Sequence, residues 1–191
     1  WNSSIAAMNE KVKQRLPFKY QKKCKIVGDL MADIKHEGQY TFKMKNEKWI
    51  AILPGSKKMK LSIGIPFFLE MADHISSSGS DIKLMIPIAP TTNIQDFLYY
   101  QSNKNPLARN YSSKIKYIKE LEESIFDYEL LTENNTKIYL ISNSPSNQIL
   151  RQCELAITTV GANTAELAAI NLPMIVVLPT QHLNLMNSWD G

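Results

Sequence analysis

The stretch that most constrains the fold of this 191-residue chain is Leu155–His182, LAITTVGANTAELAAINLPMIVVLPTQH. Leu155–Thr159 is a short, β-branched apolar run that suits a buried strand. A glycine turn follows at Val160-Gly161-Ala162, then an alanine-rich helix from about Asn163 to Ile170 and a second buried strand at Met174–Leu178. Strand, tight turn, helix and parallel strand make a βαβ unit. In open parallel sheets, ligands bind beyond the carboxyl ends of the strands, where the first turn of such a helix lies. Gly161 lets the backbone come close to a bound group, and the N–H groups of a helix start suit an anion. Glu166 is the only acid between Leu155 and His182, and a carboxylate there can accept two hydrogen bonds from a vicinal diol such as a ribose. The same residues also admit a structural role. Asn163-x-x-Glu166 has capping-box spacing, with Glu166 bonding back to the Asn163 backbone N–H, and the helix dipole favours Glu in a first turn. By themselves these residues leave both roles open.

The rest of the chain carries the same alternation. Trp49–Leu53 is a core strand, followed by a tight turn at Pro54-Gly55-Ser56-Lys57-Lys58 and a helix over Ile63–Ile75 with Pro66 near its start. A Gly-Ser-Lys turn offers backbone N–H groups, a hydroxyl and an ammonium to a phosphate. An ordinary βα turn with solvated lysines reads the same way, and the Gly-x-x-x-x-Gly-Lys of a P-loop is absent. Further strands are expected at Lys23–Val27, Ile82–Ile88 and Lys137–Ile141, and short helices at Asn93–Gln101 and Ser146–Gln152. Ile5, Met8, Val12 and Leu16 have helical spacing that ends before Pro17, so residues 1–22 read as a connector helix or the end of a preceding domain. From Ser102 to Thr136 the chain is polar and mixed in charge, with a helical stretch at Ser113–Phe126. Tyr99, Tyr100, Tyr111 and Tyr117 are able to stack on a sugar or base, and packing on the sheet edge is the preferred reading. The expected architecture is α/β: a Rossmann-like, three-layer domain over residues 23–191 with five or six parallel strands. The Gly55 and Gly161 turns should open on one edge of the sheet.

Composition narrows the function classes. With 44% apolar residues, one core is the expectation. A chain that opens at Trp1 and stops at Gly191, soon after a strand, reads as a segment of a longer protein truncated at both ends. Cys24 and Cys153 are far apart in apolar surroundings and read as reduced core thiols of a cytoplasmic protein. His36, His74 and His182 lack metal-ligand spacing, and no Gly-x-Ser-x-Gly elbow occurs. The net charge of +4 is mild. Lys11, Lys13, Arg15, Lys19, Lys22, Lys23 and Lys25 read as a solvated face that would also tolerate an anionic membrane surface. Aromatic interleaving is missing, which argues against nucleic acid.

Gly161-Ala-Asn-Thr164-Ala-Glu166-Leu-Ala-Ala-Ile-Asn-Leu-Pro173 resembles the donor-site motif of GT-B glycosyltransferases that use UDP-N-acetylglucosamine, nearest to lipid-A-disaccharide synthase and more distantly to MurG. Leu53-Pro54-Gly55-Ser56-Lys57 resembles the Leu-Pro-Gly-Ser-Arg turn of the former, and Lys25-Ile-Val-Gly28-Asp-Leu30 the strand that opens its C-terminal domain. The matches occur in family order across most of the chain. The resemblance implies the C-terminal, donor-binding half of a transferase that moves a hexose or N-acetylhexosamine from UDP to a lipid-linked acceptor. Acceptor and catalytic base would come from an N-terminal domain of the same protein. It places Gly55, Ser56, Lys57, Gly161, Asn163 and Thr164 near the diphosphate, Glu166 on the ribose, Asn143 beside the base, and Gln181 and Asn184 toward the sugar.

Two departures stand out. Lys57 replaces the family's Arg, a point charge for a bidentate fork, and the paired glutamines of the MurG sugar loop appear as Met186 and Asn187. The chain has no Asp-x-Asp for a metal–diphosphate, so the scheme implied needs neither metal nor cofactor, with helix dipoles and N–H groups neutralising the leaving group. Two alternatives remain: a non-catalytic nucleotide-sugar-binding protein, and a UDP-N-acetylglucosamine 2-epimerase, which shares the fold.

Overall fold

The computed structural model describes residues 4–28, 44, 47–122, 124–142 and 147–179. The chain divides into two compact units, Trp1–Gly38 and Gln39–Gly191. The first contains β1 (Ile5–Ala7), α1 (Glu10–Gln14), α2 (Phe18–Gln21) and β2 (Cys24–Ile26). β1 and β2 pair in parallel, Ile5 opposite Cys24. The helical spacing over Trp1–Leu16 is therefore not one helix. Asn9 accepts from the Val12 N–H at 3.0 Å and caps a helix that starts only at Glu10, which leaves Ile5–Ala7 extended.

The second unit is built on β3 (Lys48–Leu53), α3 (Lys58–Ser77), β4 (Ile82–Pro87), α4 (Ile94–Gln101), a 3₁₀ turn (Pro106–Asn110), β5 (Ile115–Glu120), β6 (Tyr128–Thr132), β7 (Lys137–Ile141), α5 (Asn147–Leu150), β8 (Leu155–Thr159), α6 (Ala162–Ala169) and β9 (Met174–Val177). Seven strands form one sheet in the order β5-β6-β7-β4-β3-β8-β9. β7, β4, β3, β8 and β9 are parallel, as expected, and this α/β domain is Rossmann-like. β5 and β6 add an antiparallel hairpin at one edge. The helix expected at Ser113–Phe126 is instead β5 and the loop beyond it. The cause is a register irregularity between Ile115 and Tyr117. It lets Ile115 and Ile118 both pack on the same core, three positions apart like neighbours on a helix.

The sheet has an apolar face on each side. On one, Ile50, Ile52, Leu84, Ile138 and Leu140 meet Leu61, Ile65, Phe68 and Leu69 of α3 and Phe97 of α4. On the other, Trp49, Ala51, Met85 and Ala156 meet Leu150 of α5 and Leu167 of α6. Trp49 stacks on Phe126 with ring centroids 5.0 Å apart.

α3 begins five residues before the expected Ile63 and carries Pro66 in its interior. Proline has no N–H for the carbonyl four residues back, here that of Ser62. Asn105 Nδ2 donates to that oxygen at 2.7 Å, while Asn105 Oδ1 accepts from the Leu107 N–H at 3.2 Å. Asn105 is only 4% exposed. Near the helix's far end, Asp73 accepts from Thr132 Oγ1 at 2.6 Å and Asn134 Nδ2 at 2.7 Å. Burial pushes the Asp73 carboxyl upward, and hydrogen bonds from Ser113, Thr132, Thr136 and Asn134 outweigh it, holding the group below its ordinary value.

Two outcomes are expected. Asn105→Ala should lower stability by about 1–3 kcal/mol, the cost of orphaned buried groups. Part of that loss should vanish in a Pro66→Ala background, where residue 66 again offers an N–H to Ser62. Equal losses in both backgrounds, measured by urea denaturation, would refute the repair. The Asp73 contribution should be complete above the ordinary carboxylate value of 3.8 and disappear as pH falls through the lowered folded value. Melting temperatures of the wild type and Asp73→Asn should therefore converge in acid.

Candidate functional site

Relabelled in chain order, the parallel strands run 3-2-1-4-5, and the order reverses between β3 and β8. Open α/β sheets bind ligands in the crevice at such a switch point. β3 and β8 pair in parallel with Leu53 opposite Thr158, so the turns that follow them emerge side by side on one edge. That is the edge on which the Gly55 and Gly161 turns were expected to open.

Gly55 (φ +99°) and Gly161 (φ +155°) occupy backbone conformations that L side chains rarely adopt. Gly64, in α3, answers a different need. A Cβ there would lie 2.8 Å from the Pro54 carbonyl oxygen, so its absence lets the helix settle against the first turn. Both helices that follow the turns start without an acidic residue in the first turn, and α3 starts with Lys57 as its N-cap and Lys58 and Lys60 after it. Cations at the positive end of a helix dipole work against the helix.

A cleft between these turns is lined by Gly55, Ser56, Ser142, Asn163 and Glu166, with Pro87 and Ile88 as an apolar wall. Its volume is about 180 Å³, below the roughly 300–1,000 Å³ of pockets that engulf a drug-sized molecule. Ser142, at the end of β7, is fixed by Asp127 Oδ2, which accepts from its backbone N–H at 2.6 Å and its hydroxyl at 2.9 Å.

Of the residues expected from sequence, Gly55, Ser56, Asn163 and Glu166 therefore meet in one cleft, and Gly161 begins the helix beside it. Lys57 is exposed at the α3 N-cap. The Thr164 hydroxyl donates to the Gly161 carbonyl at 2.7 Å, a bond that steadies the turn. The N-cap of α6 is Gly161, with no side-chain capping bond. Asn163 and Glu166 are then the second and fifth helical residues rather than N-cap and N3, and the capping-box role for Glu166 does not hold. Asn143, Gln181 and Asn184 lie outside the described residues. Burial pushes the Cys153 thiol up to about 12, which removes it as a nucleophile.

Sequence reasoning missed Lys60. Its Nζ donates to the Val160 carbonyl at 2.7 Å, joining the α3 start to the β8 turn. The available signal was its place at N3, since helical side chains tilt back toward the N-terminus.

No protein-family model matches the chain. Over 115 residues it is 25% identical to the lipid-A-disaccharide synthase of Aeromonas hydrophila, a match covering 53% of this chain and 30% of that protein. Its fold is similar to that of S. aureus MnaA in a structure with UDP, with a TM-score of 0.54 and 14% identity over 93% of this chain and 42% of the other. The chain thus spans less than half the length of either. The domain is GT-B-like in fold, and the resemblance to lipid-A-disaccharide synthase recurs in the sequence comparison.

The close seat of α3 gives an expected outcome. In most helix interiors Gly→Ala stabilises by about 0.5–1 kcal/mol. Gly64→Ala should instead destabilise by about 1–3 kcal/mol, as overpacking does, because the methyl would press on Pro54. A gain in chemical denaturation would overturn the account.

Proposed function

We propose that this chain is the donor-binding half of a glycosyltransferase similar to lipid-A-disaccharide synthase, and that its cleft takes a UDP-sugar. One observation carries the reading: two glycine turns and the Glu166 carboxylate converge at the switch point of a parallel sheet. The two helix starts supply N–H groups and positive dipole ends to the diphosphate. Gly55, Ser56 and Lys57 serve it from one side, and Gly161, Asn163 and Thr164 serve it from the start of α6 on the other. Glu166 accepts from the ribose hydroxyls. Asn143 borders the base, and Gln181 and Asn184 face the donor sugar.

In this reading, a lipid-linked acceptor and the catalytic base belong to an N-terminal domain of the full protein, which works at the cytoplasmic membrane face without a metal. Among the described residues, no helix is long and apolar enough to cross a membrane, and contact with lipid would be peripheral. An epimerase needs several acid–base groups at its cleft. Among the described lining residues Glu166 is the only carboxylate and no histidine appears. The non-catalytic reading keeps some force from Lys57, whose ammonium lacks the fork of an arginine. Assay of the full-length protein for UDP release with a lipid acceptor separates enzyme from sensor.

The 191-residue chain should bind UDP with a Kd on the order of 0.1–1 mM and transfer no sugar. Glu166→Gln should weaken that binding by about 1.5–3 kcal/mol, the worth of hydrogen bonds to a charged group, with little change in melting temperature. Unchanged titration of this variant, or no UDP binding at several-millimolar ligand, would sink the assignment.

A further inference from the structure

The antiparallel hairpin β5–β6 is the part of the sheet that the parallel βα pattern does not call for, yet it supplies one group to the cleft. The Leu121 N–H donates to the Asp127 carbonyl at 2.9 Å, and the Asp127 N–H donates to the Leu140 carbonyl at 2.9 Å. Asp127 is thereby pinned beside the end of β7. Its Oδ2 takes both donors of Ser142, the backbone N–H at 2.6 Å and the hydroxyl at 2.9 Å. A serine has no other proton to give. Ser142 is exposed and lines the cleft, so what it offers a ligand is oxygen lone pairs alone.

Its place in the cleft decides which part of a ligand meets it. β7 lies two strands from β3, and neighbouring strands are about 4.7–4.9 Å apart. About 10 Å therefore separates the end of β7 from the Gly55 turn, comparable to the reach of a nucleotide from its phosphate to the far edge of its base. Pro87 and Ile88, at the end of β4 between them, form the apolar wall, a surface suited to the flat face of a ring. The Ile88 N–H donates to the Ile141 carbonyl at 2.7 Å, so this wall runs directly up to Ser142.

We infer that Ser142, oriented by Asp127, reads the base of the nucleotide and selects one with an imide N–H, as uracil has. The pairing edge of uracil carries N3–H at its centre, and Ser142 Oγ accepts that proton. Cytosine has a bare ring nitrogen at the same place, so two acceptors would face each other there. The inference rests on the proposed nucleotide-sugar site and adds the pair of residues that sets its base. Ser142 touches the ligand, and Asp127 is a positioning residue that acts through it.

The test is titration of UDP and CDP into the whole chain, Ser142→Ala and Asp127→Asn, with a melting curve for each. The wild type should bind UDP about tenfold or more tighter than CDP, the range set by orphaning a hydrogen-bonding group. Ser142→Ala removes the acceptor and should bring the two affinities within about threefold of each other. In Asp127→Asn the amide can donate to Ser142 Oγ, which frees the hydroxyl proton for the cleft. CDP should then gain on UDP, and their ratio should again fall to about threefold or less. Ser142→Ala keeps the backbone N–H bond to Asp127, so it carries the test if Asp127→Asn does not fold. A merely structural tie would lower both affinities together and leave their ratio as in the wild type. That result, or a wild type that binds UDP and CDP alike, would overturn the inference and leave the donor site standing. Failure of the wild type to bind either nucleotide would overturn both.

Discussion

The close seat of α3 on the turn after β3 is the constraint on which the rest of the domain depends. Gly64 brings the helix to the Pro54 carbonyl, and that depth sets where the first turn faces the cleft. The seat holds because the helix is tied along its length. Asn105 replaces the bond that Pro66 cannot make, Glu70 Oε2 accepts from the Ser112 and Ser113 N–H groups at 2.6 and 3.2 Å, and Asp73 is held by Thr132 and Asn134. Between these polar ties an apolar stripe from Leu61 to Ala72 lies on the sheet. Buried polar groups with partners fix one arrangement where apolar packing alone would tolerate several.

The parallel strands were legible because buried strands read as continuous β-branched runs between turns. β7 and β8 have that character and are mostly buried; β9 reads the same way and is a strand, but at the end of the sheet it is not the buried strand expected, since Ile175 and Val176 are exposed. β5 does not read this way. Its Ile115 and Ile118 share a core through a register irregularity, and an irregularity depends on the partner strand. β6 lay inside the same polar segment and went unread with it. At the other end of the chain, Ile5–Ala7 is extended because Cys24–Ile26 lies beside it, while the apolar spacing alone matched a helix.

The site divides along the same line. Gly55 and Gly161 announce themselves, since a βα turn that must come close to something takes glycine. Glu166 was ambiguous from sequence because the box spacing was right. The N-cap is Gly161 rather than Asn163, and that shift of two residues removes the capping box. Lys60 carried only the hint of its place at N3. Its significance comes from Val160, a hundred residues away in the chain, and no local pattern encodes that adjacency.

The pairing of β3 with β8 has a consequence in time. Thr158 meets the Leu53 carbonyl across a separation of 105 residues. Loop closure of that length costs little more free energy than a shorter one, but contacts so distant in sequence form slowly. During synthesis, β3, α3, β4 and β7 are available to assemble before β8 has been made. A nascent chain can therefore hold the first glycine turn, with its lysines, for some time before the second arrives. A ligand that needs both turns stabilises only the finished sheet, by mass action. It would act as a selector for chains that have completed the crossover, drawing them away from open intermediates whose β3 edge is still unpaired.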